Sequence, residues 1–285
     1  MAVEVKQVVD HPLVPQLATI ERVIDLTPDM KLFSVGINDP VARESFRYRV
    51  GQFVLLSVFG LGEAAFDISS IDMPGAPLEF AIRKVGTLTA GIHELEEGAV
   101  VGVRGPFGNC FPMEEYRGKN LIIIGGGSGF APLRSVINYI VDPGRRAEYG
   151  QLYIIHGART PRDLVFTNEF EAWSASPNTR LELTVDRAVG EWRGRVALIP
   201  DVVRELDPAA DNGVAMVCGP PIMIKFTLKV LKELGFADHQ IVSAMETKMK
   251  CGIGKCGRCN VGDKYVCLDG PVFTFEQIGR FLEGY

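Results

Sequence analysis

Cys251-Gly-Ile-Gly-Lys-Cys256-Gly-Arg-Cys259, followed by Cys267, places four of the chain's six cysteines in one short C-terminal segment. Four residues separate the first two, two separate the next, and seven precede the last. This is the plant-type spacing for a [2Fe-2S] cluster, in which one loop wraps the cluster and a later stretch returns the fourth thiolate. Gly252, Gly254 and Gly257 would let that loop take positive φ and turn backbone N–H groups toward the cluster sulfurs. Cys251, Cys256, Cys259 and Cys267 are therefore the expected ligands. Structural zinc and disulfides compete with this reading. Zinc usually takes paired Cys-x2-Cys knuckles, and only Cys256/Cys259 forms one here. Lys248, Lys250, Lys255 and Arg258 surround the loop; they would raise its potential, dock an acidic partner, or simply be solvated.

A second segment with chemical content is Gly125-Gly126-Gly127-Ser128-Gly129-Phe-Ala-Pro132, which follows the apolar run Leu121-Ile-Ile-Ile124. Glycines at a strand-to-helix turn let backbone amides approach a pyrophosphate, and the next helix aims its positive end at it. Phe130 stands where the usual dinucleotide fingerprint has its third glycine, so a plain tight turn competes with the phosphate reading. Three further strand ends would gather beside it: His156-Gly-Ala-Arg159-Thr-Pro-Arg162, Thr184-Val-Asp186-Arg187 and Cys218-Gly219-Pro220-Pro221. Ligands of open parallel sheets lie along such carboxyl ends.

The elements that must carry these segments change character along the chain. Residues 17–112 alternate apolar and polar positions between glycine and proline turns, as in Gln52–Phe59, Leu78–Arg83 and Ala99–Val103, and predict a β-barrel. After Pro112, buried strands alternate with amphipathic helices, one carrying Leu133, Val136, Ile137 and Ile140 and another Ile222, Met223, Phe226, Val230, Leu231 and Leu234, so a parallel-sheet α/β domain is expected. The expected division is 1–115 for the barrel, 116–245 for the nucleotide domain and 246–285 for the cluster module. At 285 residues, with 47% hydrophobic and 23% charged positions, the chain is long enough for two ordinary cores and an appendage. A net charge of −5 argues against nucleic-acid binding. No apolar run reaches membrane-spanning length, and Met1-Ala-Val-Glu-Val-Lys6 lacks the regions of a signal peptide, so a reducing cytoplasm is expected. Cys110 reads as structural, and the four scattered histidines do not form a metal site.

The ordered elements Gly51-Gln-Phe53, Arg83-Lys-Val-Gly86 to Thr89, Gly105-Pro-Phe-Gly108, Gly125–Gly129 and Cys218–Pro221 resemble those of the ferredoxin-NADP reductase superfamily. Met249–Cys259 is similar to the gamma subunits of NAD(P)-linked sulfhydrogenases and to the corresponding subunit of anaerobic sulfite reductase, with a more distant likeness to the electron-transfer subunit of dihydroorotate dehydrogenase. The resemblance spans roughly residues 10 to 278. It implies FAD, NAD or NADP, a [2Fe-2S] cluster and a catalytic redox partner subunit of hydrogenase or sulfite reductase type.

The family's Arg-x-Tyr-Ser flavin segment falls on Phe66-Asp-Ile68-Ser69, which keeps only the serine. Flavin contacts are then expected from Ile68, Ser69, Ile82, Arg83, Leu88 and Thr89, with Arg83 supplying the missing phosphate charge. A surface strand charge and a turn serine are the bland readings of Arg83 and Ser69. Gly125, Gly126, Gly127, Ser128, Gly129, Arg159, Asp186, Arg187, Gly219 and Pro220 are expected at the nicotinamide cofactor. Arg159 and Arg187 admit NADP while Asp186 favours NAD, the slightly preferred cofactor. Cys218 and Glu246 are the candidates beside the reacting rings, against a buried thiol and a solvated glutamate. A nicotinamide delivers an electron pair and an iron–sulfur cluster takes one electron at a time, so a flavin must stand between them. Three other functions stay open at this point: the electron-transfer subunit of a dihydroorotate dehydrogenase-like or other complex, a relay subunit without nicotinamide chemistry of its own, and a zinc-stapled binding protein.

Overall fold

The computed structural model describes residues 11–282; Met1–Lys6, the segment without signal-peptide character, lies outside them. Six strands, β1 (Gln16–Thr27), β2 (Met30–Ile37), β3 (Phe53–Val58), β4 (Gly62–Asp67), β5 (Leu78–Arg83) and β6 (Val100–Phe107), form an antiparallel sheet in the order β4-β3-β6-β1-β2-β5. Period-two patterning builds it: Leu78, Phe80 and Ile82 of β5 are buried while the residues between them are not. Those side chains meet Ile20, Phe33, Val35, Val54, Leu56, Val101, Val103 and, from β4, Phe66 in one core, so the sheet rolls round it as a barrel. Helices α1 (Pro40–Ser45) and α2 (Thr87–His93) interrupt the strands.

The second half supplies β7 (Asn120–Gly126), α3 (Ala131–Val141), β8 (Leu152–Ala158), α4 (Phe170–Ala175), β9 (Thr179–Val185), β10 (Arg195–Val196), α5 (Ile199–Leu206), β11 (Gly213–Cys218), α6 (Pro221–Glu233) and β12 (Ile241–Ala244). The chain then forms a small ladder, β13 (Asn260–Val261) with β14 (Lys264–Tyr265), and ends in α7 (Val266–Asp269), β15 (Val272–Thr274) and α8 (Phe275–Leu282). The large sheet has the order β10-β9-β8-β7-β11-β12-β15, and only β15 runs antiparallel. Leu121–Ile124 is continuously apolar because both faces of β7 are covered: Leu121 and Ile123 fill one core, Ile122 and Ile124 the other. Strand order reverses between β7 and β11, which opens a crevice at their carboxyl ends. The C-terminal segment is not a free appendage, since β15 pairs with β12 within the nucleotide sheet.

Buried or half-buried polar side chains join the parts, Arg134 and Asn109 among them. Arg134 of α3, almost fully buried, donates to the Ser69 carbonyl at 3.0 Å, to Glu79 at 2.7 Å and to Glu169 at 2.6 Å, and lies over Phe166. It pins the nucleotide domain to the barrel. Asn109, just after β6, donates to the carbonyls of Asp269 and Val272 and accepts from the Val272 N–H, which fastens the cluster segment to the barrel. Among the described residues, no helix is long and apolar enough to cross a membrane.

Candidate functional site

The cysteine loop follows β12 and precedes α7. Gly252, Gly254 and Gly257 adopt φ of 75°, 69° and 70°, conformations that a side chain would strain. This turns N–H groups inward: Lys255 and Cys256 donate to Cys251 Sγ at 3.3 and 3.4 Å, and Gly254 donates to Cys267 Sγ at 3.2 Å. The Cys251 thiol lies within hydrogen-bond reach of Cys256, and Cys267 within reach of Cys259. Burial opposes ionisation of Cys251, yet the N–H groups of Ile253, Cys256 and Lys255 bring it down to about 6. Burial and the Cys259 thiol push Cys267 up to about 12. Among the described residues no group of three or more His, Cys, Asp or Glu side chains closes round a single ion. Two cysteine pairs, each beside N–H donors, fit a two-iron core with two thiolates per iron better than a mononuclear site. Cys259 and Cys267 are buried and Cys256 is exposed, so the cluster would have one edge toward solvent.

The glycine turn between β7 and α3 lies directly against the turn after β11. A β-carbon on Gly126 would meet Met223 Sδ at 2.5 Å, and one on Gly129 would meet the Gly219 backbone. Gly127 has φ of 55° with open space above it, which leaves a backbone cradle free for a ligand. Phe130, in place of the fingerprint's third glycine, is fully buried and stacks on His156 at 4.0 Å. His156 is likewise a core residue: burial pushes it down to about 4, and its Nε2 accepts from the Val165 N–H. Arg159 and Arg187 are brought together, because the Asp186 and Arg187 N–H groups donate to the carbonyls of Ala158 and Arg159. Arg159, Asp186 and Arg187 are all exposed beside the strand ends. Asp163 instead closes its own turn by accepting from Thr160.

On the barrel side, Ile68, Ser69 and Ile82 are buried, and Leu88 packs on the barrel core. The Thr89 hydroxyl accepts from the N–H groups of Val85 and Gly86 and donates to the Gly86 carbonyl, so it shapes the turn at the start of α2. Arg83 projects from the end of β5 and pairs with Asp29 at 2.7 Å, both side chains being about half exposed. Ser69 Oγ is buried without a hydrogen-bond partner, an orphan that a ligand's polar edge would satisfy. Asp67, the last residue of β4, sits close enough to Cys218 at the end of β11 to affect its ionisation. Burial, with Asp67 and Glu246 adding, pushes Cys218 up to about 12, so its thiol stays neutral. Burial and Glu246 push Asp67 up to about 7. Cys218, Glu246 and Asp67 thus converge where the barrel faces the crevice. Sequence reasoning missed Asp67, Arg134 and Asn109; only Asp67, inside the Phe66–Ser69 segment, carried a local signal.

A barrel with a polar orphan, a parallel sheet with a glycine cradle at its switch point, and a loop of paired thiols make up a ferredoxin-NADP reductase-like fold. A solved structure of an NADH-dependent reduced ferredoxin-NADP oxidoreductase, studied for flavin-based electron bifurcation, superimposes with a TM-score of 0.72 over 94% of this chain and 93% of its own, at 23% identity. A ferredoxin NADP+ reductase from Neisseria gonorrhoeae with bound FAD and NADP gives 0.66 over 80% and 96%, at 22% identity. Residues 123–229 match the oxidoreductase NAD-binding domain family, and residues 246–279 match the iron-sulfur cluster binding domain of dihydroorotate dehydrogenase B. Sulfhydrogenase 2 subunit gamma of Pyrococcus furiosus is 38% identical over 275 residues, 90% of this chain and 94% of the relative. A probable dihydroorotate dehydrogenase B (NAD(+)) electron transfer subunit of Methanocaldococcus jannaschii is 32% identical over 95% of this chain and 93% of its own. The chain belongs to the family of sulfhydrogenase gamma subunits and related electron-transfer subunits, and is an oxidoreductase subunit.

Proposed function

We propose that the chain is the NAD(P)H-linked electron-transfer subunit of a hetero-oligomeric redox complex, carrying FAD and one [2Fe-2S] cluster and serving a hydrogenase or sulfite reductase type of catalytic partner. The observation that carries this is the convergence of Asp67, Cys218 and Glu246 between barrel and crevice, with the thiol loop fastened to the same barrel. When bound, a flavin exchanges a hydride with a nicotinamide and single electrons with an iron–sulfur cluster.

Ser69 and Ile68 would hold the flavin ring edge, Arg83 and the turn at Leu88–Thr89 its phosphates. Gly125–Gly129 would cradle the dinucleotide, with Arg159, Asp186 and Arg187 at its adenosine end and Gly219-Pro220 guiding the nicotinamide. Cys218, neutral and buried, would pack beside the reacting carbon without exchanging protons. Asp67, whose carboxyl burial and Glu246 push up to about 7, would be the group able to give or take a proton there. Cys251, Cys256, Cys259 and Cys267 would ligate the cluster, and exposed Cys256 would turn one edge of it toward the face open to a partner. The divisions 1–115, 116–245 and 246–285 then correspond to flavin, nucleotide and cluster functions, and the reduced thiols suit the cytoplasm. NAD is the preferred cofactor on the strength of Asp186.

Anaerobically purified protein tests this directly. It should contain one FAD, two irons and two labile sulfides, and should reduce an artificial dye with NADH faster than with NADPH. Colourless protein, or coloured protein inert to both nucleotides, would refute the assignment.

A further inference from the structure

Arg104 projects from β6 and is almost wholly buried, although nothing in its sequence surroundings marks it. All of its N–H positions are used. Nε and Nη2 grip the Glu63 carboxylate at 2.9 and 2.5 Å, Nη1 donates to the carbonyls of Pro12 at 2.7 Å and Cys251 at 3.1 Å, and Nη2 donates to the Lys250 carbonyl at 3.1 Å. Glu63 is braced in turn by the Ser57 hydroxyl. The loop lies hard against the barrel at this point, since a β-carbon on Gly252 would meet the Phe107 ring at 2.8 Å and Leu55 at 3.1 Å. A barrel arginine thus holds the backbone of a cluster-ligand cysteine and of the residue before it.

We infer that Arg104 is a positioning residue that fixes the first-ligand end of the cysteine loop on the barrel, and with it the place and potential of the cluster relative to the flavin site. The inference rests on the [2Fe-2S] reading of the loop. Its planar fork binds three carbonyls and a carboxylate at once, which a lysine's single ammonium cannot reproduce. Its charge, balanced by Glu63, also sits against the Cys251 backbone, beside which the cluster would be held. Removing the cation alone would leave a carboxylate there and disfavour the more negative, reduced cluster.

The test uses Arg104→Gln, Arg104→Lys and the double variant Arg104→Gln/Glu63→Gln, with iron and sulfide content, amide exchange and an EPR-monitored redox titration on each. Arg104→Gln should keep its cluster, show about tenfold faster exchange across residues 250–256 and shift the cluster midpoint negative. Arg104→Lys should keep the midpoint and lose part of the exchange protection. The double variant should restore the midpoint while exchange stays fast, which separates charge from positioning. Unchanged exchange and midpoint in iron-replete Arg104→Gln would overturn the inference, and so would unchanged exchange in Arg104→Lys and the double variant if Arg104→Gln fails to fold. Parent protein without two irons and two sulfides would instead overturn the cluster reading on which it rests.

Discussion

The backbones of Gly129 and Gly219 touch: a β-carbon at 129 would stand 2.4 Å from Gly219 Cα and 2.6 Å from its nitrogen. The turn after β7 and the turn after β11 are therefore one packed unit across the switch point. Gly129→Ala sets a methyl against main chain that has no rotamer to yield, so a loss of about 1–3 kcal/mol is expected, with the nucleotide KM raised about tenfold or more. Thermal unfolding and steady-state dye reduction measure both. An unchanged KM would separate the turn from nucleotide binding.

Cys267→Ala removes the cysteine on α7, the fourth of the proposed ligands. It should abolish iron and labile sulfide while FAD remains bound, because Ile68, Ile82 and Leu88 pack in a different cluster from the one Cys267 shares with Phe53 and Phe107. Stoichiometric zinc without labile sulfide in anaerobic parent protein would sink the cluster assignment.

Asp67 gives a pH signature. Its native-state proton affinity, raised from 3.8 to about 7, exceeds that of the unfolded chain, so the folded protein loses stability as pH rises through that window. Asp67→Asn removes the cost. The variant should be more stable than the parent by about 1–3 kcal/mol at pH 8, and the difference should vanish toward pH 4. Melting curves across that range check it, and a pH-independent difference would contradict the placement of Asp67.

Arg134 neutralises Glu79 and Glu169 in a poorly hydrated joint and holds the Ser69 carbonyl. Arg134→Gln should destabilise the protein by about 3–5 kcal/mol and loosen flavin retention, since two carboxylates lose their shared cation. Urea unfolding and flavin release during gel filtration provide the readouts. Parent-like behaviour in both would show that the joint is not held by charge.

Arg83→Ala should weaken flavin binding about 10- to 150-fold, the worth of one charge-assisted phosphate contact. Asp29 engages only Nε of Arg83, and an exposed pair of this kind costs little to break, so it does not bar that contact. Asp29→Asn should accordingly bind flavin as tightly as the parent or tighter. Flavin titration of apoprotein decides, and equal affinity in Arg83→Ala would remove Arg83 from the site.

What the sequence disclosed was local. Thiol spacing and glycine placement lie within one short run, so the loop's left-handed residues 252, 254 and 257 were legible before any fold. So were the barrel and the parallel sheet, whose apolar periods repeat over few residues. Arg104, Arg134 and Asn109 were not, because their partners lie on remote segments: Cys251, Ser69 and Val272 respectively. A buried arginine between sequence-distant carbonyls has no periodicity to announce it. The stack of His156 on Phe130 was illegible for the same reason, since it joins two separate strand ends.

The pairing of Ala244 with Val272, reinforced by the Met245 N–H on the Pro271 carbonyl, closes the neck of the whole cysteine loop. The loop is therefore a cassette set into an edge hairpin, its ends already held together before any iron arrives. A single proteolytic nick inside it would leave both fragments anchored in the sheet, and loss of the metal need not spread into the nucleotide domain. The same neck also shields the β12 edge, so cutting the chain at residue 245 would expose a sticky strand and make a clean two-domain fragment harder to obtain than its boundaries imply.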